Sequence, residues 1–328
     1  MDTGQRLTEQ ELTKLEKRIF AVYQEAYNGL DATIREYFSK FSERDKEMKA
    51  QLDAGEITEE HYRQWRIAQI GRGKRFEALR DQVAERMTNA NANAVSYVND
   101  ATPGIYNLNR NFAAYTIEQV TGDVGFDIWD EQTVKRLISE HPELMPYYPE
   151  KRALNRGIDL AYGKKQITAS VTSSILQGRS IKGMADDLQS RITTMNRDSA
   201  IRTARTAVTG AQNAGRLDSY YAAEKMGIKC RKQWMATLDG RTRHSHAMLD
   251  GEIVDNDKKF SNGCRYPGDP NGPPSEIYNC RCTLVSEIEE IDTSGGKRRA
   301  RNPETGRNEL IENMSYAEWA GWKKKNGR

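Results

Sequence analysis

Cysteine is scarce in this chain, with four in 328 residues. At that length four thiols do not make a disulfide framework, so cross-links are not what holds the molecule together. No run of about 18 apolar residues occurs, which predicts no membrane span. The opening MDTGQRLTEQ lacks the basic-then-apolar order of a secretory signal, and a reducing cytosol is the expected place of synthesis. Charge of one sign is not in excess either: 50 Lys and Arg against 47 Asp and Glu leave +3. With 37% hydrophobic and 30% charged residues there is apolar material for cores. The chain is nonetheless polar enough to favour elongated helical structure over one compact globule.

The near-balance of charge hides an uneven distribution. From Lys297 to Arg328 nine Lys and Arg face four Glu, giving +5 there and −2 for everything before. Lys297, Arg298, Arg299, Arg301, Lys323, Lys324 and Lys325 are therefore candidate DNA contacts, because such a tail suits polyanions or acidic surfaces. The plainer reading of residues 292–328 is a solvated, flexible tail, with MSYAEWAGWKK as a short docking segment.

What is present is mostly helical pattern. Residues 8–52 read as one long helix: Thr8 to Glu11 fits a capping box, and Leu12, Leu15, Ile19, Val22, Ala26, Leu30 and Ile34 recur at three and four. Asp53-Ala54-Gly55 stops it. A second helix starts near Thr58, softens at Gly71 and Gly73, and continues through the small residues of NANANA (89–94), which permit close packing. Together they predict an antiparallel hairpin whose apolar stripe needs another subunit or partner to cover it. Pro103, Pro142, Pro146 and Pro149 interrupt the next stretch, which reads as a hinge with one short helix ending before His141-Pro142. Helices return from Ile158. Ser180 caps one, Asn196 or Asp198 starts another, and Gly227 ends it.

Beyond Gly227 the period falls to two. KCRKQWMAT (229–237) reads as a strand, Asp239-Gly240 and Asp250-Gly251 as turns, and RTRHSHAM between them as a helical turn that Asp239 could cap. The loop 262–276 holds four of the nine prolines and needs tying down. NCRCTLVSEIEEI closes the region with another strand. The expected fold is α+β, mostly helical: a long N-terminal helical hairpin (1–100), an irregular hinge (101–157), then helices followed by a small strand-containing region with a proline-rich loop (158–291), and the basic tail (292–328).

Chemistry concentrates in the strand-containing region. Residues two apart on a strand share a face, so both thiols of Cys280-Arg281-Cys282 can reach one point. Tetrahedral zinc needs four thiolate or imidazole ligands, and His246, Cys264, Cys280 and Cys282 make that count while anchoring the loop. The spacing is not a Cys-x-x-Cys knuckle, and small cysteines buried between strands are the plain alternative. A Cys–His nucleophile is a third reading, although nothing visible supplies an oxyanion hole. His244 and His246 would point about 200° apart on a helix, so one of them joins the site, and His246 is the choice. Asp239 and Arg241 read as parts of a buried Arg–carboxylate or Arg–carbonyl tie fixing turns, and Arg281 faces away from the thiols toward an acid or a partner.

The string KQWMATLDGRTRHSHAMLDGEIV, with F, YPGDP and IYNCRCTLV after it, resembles the C-terminal domain of the Mu F-like minor head proteins of tailed bacteriophages. Trp234, Asp239, Arg241, Thr242, Arg243, His246, Asp250, Gly251, Phe260, Pro267, Asn279, Cys280, Arg281 and Cys282 carry the resemblance, and SAIRTARTAVTGAQNAG looks like the family's Arg-Thr helix. The matched ground runs from Ile167 to Ile288. Ala207 departs from it, standing where an acidic residue is expected. The resemblance implies a non-enzymatic head component in few copies, at the portal vertex of the virion and assembled in the bacterial cytoplasm. Its implied partners are the portal protein, the major capsid protein, packaged double-stranded DNA and further copies of itself, with a part in head assembly, DNA packaging or genome delivery. The family also lends this domain to toxin-delivery polypeptides; the stretch after Asp292 is expected to be too short for a toxin. Two other readings remain open: a metal- or cysteine-dependent hydrolase built on His246, Cys280 and Cys282, and a DNA-binding accessory protein.

Overall fold

A computed structural model of the chain describes residues 2–121, 124–140, 159–288, 297–301 and 308–312. Its helices are α1 (Thr3–Ser39), α2 (Ser42–Asp53), α3 (Glu59–Ile70), α4 (Lys74–Thr121), α5 (Glu131–Glu140), α6 (Leu160–Leu176), α7 (Ile181–Gln189), α8 (Met195–Lys225), α9 (His244–Met248) and α10 (Pro274–Ile277). The strands are β1 (Cys230–Met235), β2 (Ile253–Val254), β3 (Thr283–Ile288), β4 (Lys297–Arg301) and β5 (Asn308–Glu312). The fold is α+β and mostly helical, as the sequence pattern predicts. Among the described residues no helix is long and apolar enough to cross a membrane.

The chain divides into two compact units: Met1–Leu15, Val98–Pro149 and Arg202–Arg328 in the first, Glu16–Tyr97 and Glu150–Ile201 in the second. In the second unit the expected helix over 8–52 is in fact two, broken at Lys40 and Phe41. The apolar period runs straight through the break, so nothing local marks it. Tertiary contacts do: Tyr37 meets Phe41 edge-on and gives its hydroxyl to Ile70 O at 2.6 Å. Beyond the break, Asp45 takes a two-pronged ion pair from the buried Arg66, Nε to Oδ1 at 2.8 Å and Nη2 to Oδ2 at 2.9 Å. Gly55 at positive φ follows the end of α2 where the sequence places the stop, Gly73 at positive φ stands just ahead of α4 at the expected soft point, and Thr58 caps α3 by accepting from His61 N. The stripe of α1 does not await a partner. Ile19, Leu30 and Ile34 are at most 1% exposed, Tyr23 bonds Asn91 of α4, and Gln189 of α7 donates to Tyr27 O. The chain covers this stripe itself, which removes the premise of a docking face there.

Helix α4 corrects the irregular hinge over its first part, running unbroken through Pro103 to Thr121. A proline inside a helix leaves the carbonyl four residues back without its N–H partner. Here that carbonyl is Asn99 O, and the hydroxyl of Thr102 donates to it at 3.2 Å. Helix α5 does end at Glu140; residues 141–158 lie outside the described residues. Nor does α8 begin at a cap. A five-residue π-helical turn, Ser190–Thr194, joins it directly to α7, so neither Asn196 nor Asp198 starts it. Ser180 caps α7 through Gly183 N, and Gly227 at positive φ follows the end of α8.

The first unit sets α8 between α4 and a sheet of order β2-β1-β3, all antiparallel. On the helical side, Gly215 lies so close to α4 that a Cβ there would meet Tyr106 O at 2.3 Å. Ser219 donates to Arg110 O, and Arg110 pairs with Asp218 at 3.0 Å. On the other side, β3 is an outer strand, and its free edge needs partners for outward N–H and C=O groups. Side chains of α8 supply them: Asn213 Oδ1 accepts from Leu284 N at 2.8 Å, and Arg216 Nη1 donates to Leu284 O at 3.0 Å. Farther along, β4 and β5 pair as an antiparallel ribbon, so Lys297, Arg298, Arg299 and Arg301 stand on a strand rather than in a structureless tail. Lys323, Lys324, Lys325 and the MSYAEWAGWKK segment fall outside the described residues.

Candidate functional site

Three of the residues singled out from the sequence come together. His246 sits on α9, while Cys280 and Cys282 lie between α10 and β3, just ahead of the strand rather than in it. His246 Nδ1 is 3.6 Å from Cys280 Sγ and 3.4 Å from Cys282 Sγ, and the three donor atoms lie within 4.8 Å of one another. All three side chains are buried, at 2%, 1% and 2% exposure, so a substrate has no access to them. Burial raises the Cys280 thiol, reinforced by its hydrogen bond to Cys282. Cys282 moves down instead, because Cys280 donates to it and His246 stands beside it.

On the far side of the imidazole, Nε2 is 3.1 Å from Glu276 Oε2, and Ser245 Oγ steadies the same oxygen at 3.1 Å. Trp234 closes the pocket, its ring edge-on to both His246 and Phe260 at centroid distances of 5.3 and 5.1 Å. His244 is exposed, as its opposite helix face requires. Cys264 is the fourth residue of the expected zinc set, and it is not in the group. Its sulfur lies against Gly272 within the proline-rich loop, where burial pushes the thiol up to about 12.

The ion pair that fixes the turns is not Asp239 with Arg241. Asp239 Oδ1 accepts from Arg241 N at 2.9 Å, a local turn contact, and does not cap α9, whose N-cap is Arg243. Arg281 supplies the guanidinium, at 2.5 and 2.6 Å from the two carboxylate oxygens, and it holds the Asp239 carboxyl at about 2. The alternation at Cys-Arg-Cys thus turns two thiols toward His246 and the arginine toward Asp239. Thr242 gives its hydroxyl to Thr237 O within the same turn. Asn279 is the one non-glycine residue at positive φ among those described, at 54°, and it delivers Cys280 into the cluster.

Other anchors carry no signal in the sequence. Asn213, fully buried on α8, donates to Thr209 O, Pro267 O and Cys282 O, which ties the proline-rich loop and the second thiol segment to one side chain. A mid-helix asparagine gives no local sign of such a role. Lys232 on β1 is also fully buried; Nζ donates to Asn256 O and Lys258 O, and burial pulls its amine down to about 8. The alternating pattern shows its place in a strand but not its inward direction. Within the loop, the buried Asp269 accepts from Arg265 N and Asn271 N, and Gly268 presses against Gly210 of α8.

Comparison with known proteins adds a second kind of observation. Residues 165–285 match the family described as phage Mu protein F like protein, closely the span from Ile167 to Ile288. The chain is 27% identical to minor head protein GP7 of Bacillus phage SPP1, across 95% of this chain and 94% of that one. It is 32% identical to the NAD(+)–arginine ADP-ribosyltransferase EFV of Enterococcus faecalis over 47% of this chain, but that covers only 31% of the larger protein. A third relative, the uncharacterized protein YqbB of Bacillus subtilis, is 31% identical over 36% of this chain and 40% of its own length. No solved structure matches.

Proposed function

We propose that this chain is a minor head protein of a tailed bacteriophage, of the phage Mu protein F like family that its residues 165–285 match. One observation carries the reading: the similarity to minor head protein GP7 spans nearly the whole of both chains. A domain shared with a larger polypeptide can be reused for another task, as the 31% coverage of the ADP-ribosyltransferase illustrates. Collinearity from end to end favours the same kind of protein. Burial of His246, Cys280 and Cys282 speaks against the hydrolase, since a nucleophile or metal-bound water must meet its substrate.

In finer terms, the proposal seats the chain at the portal vertex, in contact with portal protein and major capsid protein and facing packaged DNA. Its support for DNA contact is the density of positive charge on β4, where four of five residues are Lys or Arg. Mass spectrometry of purified phage heads tests the first part. The chain is expected in a few copies per head, and its absence from heads would overturn the reading. Salt titration of binding to double-stranded DNA tests the second. Each phosphate contact released adds about 0.9 to the slope of log affinity on log salt, so Ala at Lys297, Arg298, Arg299 and Arg301 should flatten it by roughly 2 to 4. A flat response in the unaltered chain would remove DNA contact and leave the head assignment standing.

A further inference from the structure

We infer that His246, Cys280 and Cys282 form a zinc site with three protein ligands, in which Glu276 holds the imidazole from behind. Donor spacing is the first support. Zinc binds sulfur at about 2.3 Å and imidazole nitrogen at about 2.0 Å, so a tetrahedral arrangement separates an N from an S ligand by about 3.5 Å. The two measured separations, 3.6 and 3.4 Å, bracket that edge. Direction is the second support. It is Nδ1 that faces both sulfurs, while Nε2, a buried nitrogen with no aligned hydrogen-bond partner, lies 3.1 Å from Glu276 Oε2. A ligating histidine characteristically sends its other ring N–H to a carboxylate, which fixes the tautomer and makes the ligating nitrogen more basic. Glu276 is itself placed by Ser245, the residue before the histidine. Position in the fold is the third. The three ligands join α9 to the segment that enters β3, and the proline-rich loop runs between them with little regular structure of its own.

The donor set suits zinc electronically. Two thiolates neutralise the dication, and the imidazole binds uncharged with its second N–H still available to Glu276. Cys264 lies outside the group, so three ligands come from the described residues. This inference does not rest on the assignment to a phage head; it concerns what closes the domain in whatever assembly uses it.

Elemental analysis of the full-length chain, purified under reducing conditions without chelator and with zinc supplied, is the direct test. About one zinc per chain is expected, retained by Cys264→Ser and Cys230→Ser and lost by Cys282→Ser and His246→Ala. A metal-free chain, or loss of zinc from Cys264→Ser, would overturn the ligand set. Because Cys282→Ser could simply fail to fold, two further measurements keep the question open to a negative answer. Replacement of zinc by cobalt in the unaltered chain should give thiolate-to-metal absorption of two-sulfur intensity with tetrahedral d–d bands; octahedral bands without sulfur absorption would refute it. Glu276→Gln should bind zinc about 10–100-fold more weakly with the fold unchanged by circular dichroism, and unaltered affinity would remove Glu276 from its positioning role.

Discussion

Arg216 and Asp2, 214 residues apart in sequence, meet as a two-pronged ion pair with both N···O distances at 2.8 Å. The arginine is 3% exposed and also donates to Asn109 Oδ1 and Leu284 O, so one guanidinium joins the start of α1, α4, α8 and β3. Burial would raise the Asp2 carboxyl, but the hydrogen bonds and charge of Arg216 prevail and hold it below its ordinary value. Removing one partner of a buried pair costs about 3–5 kcal/mol, and the partial exposure of Asp2 puts this case near the lower figure. Asp2→Ala is therefore expected to lower the urea midpoint by an amount equivalent to about 3 kcal/mol at constant m. An unchanged midpoint would show that the first residues contribute nothing to the fold.

Asn213→Leu should be among the most damaging conservative-sized substitutions in the first unit. It would strand Leu284 N, Pro267 O and Cys282 O, all now served by this one side chain. Each unmade buried hydrogen bond costs about 1–3 kcal/mol, so a loss of about 3–5 kcal/mol is expected by chemical denaturation. Neighbouring substitutions at the exposed Arg202 or Arg205 should stay within about 0.5 kcal/mol.

Asn279 separates backbone from side-chain effects. At φ 54°, glycine is tolerated and a β-branched residue is not. Asn279→Gly should leave the melting temperature nearly unchanged. Asn279→Val should cost about 1–3 kcal/mol through backbone strain alone. Equal effects of the two would show that the amide, not the conformation, matters.

Asp239 gives a pH dependence of known sign. Its carboxyl stands at about 2 in the folded chain against 3.8 as the ordinary value, with Arg281 the main cause. In the window between those values the unfolded chain binds more protons, so stability rises with pH across it and is lost as pH falls toward 2. Arg281 is 41% exposed, and screening holds the size to about 1 kcal/mol. The difference in unfolding free energy between the unaltered chain and Asp239→Asn should shrink by that amount from about pH 5 to about pH 2, measured by urea titration. A constant difference would sink the pairing.

Gly215→Ala probes the closest helix approach. The added Cβ would meet a backbone oxygen at 2.3 Å, which neither helix can relieve by a side-chain rotation. A loss of about 1–3 kcal/mol or more is expected in the melting curve, as for overpacked cores.

Features with a local cause are legible in the sequence, and those with a tertiary cause are not. Thr58 and Ser180 cap helices, Gly55 and Gly227 follow helix ends and Gly73 precedes α4, because side-chain and backbone chemistry within four residues decides it. The choice of His246 over His244 rests on helical geometry alone. The break at Lys40–Phe41 leaves no trace, since its cause is Ile70 and Arg66, residues more than 20 positions away. Pro103 misleads for a related reason: the lost hydrogen bond is made good by Thr102, and α4 continues through it. Residue type alone draws Cys264 into the ligand set. Its actual place depends on the path of a loop held by Asp269, Asn213 and a glycine contact, none of which a spacing rule can register.

The way α8 finishes the sheet has a consequence for assembly. A strand edge with free amides invites another chain to add to it. Because Asn213 and Arg216 already occupy both groups of Leu284, that position on β3 has nothing left to offer an incoming strand. Strand addition through Leu284 is thereby closed off by the chain's own helix rather than by a neighbouring strand.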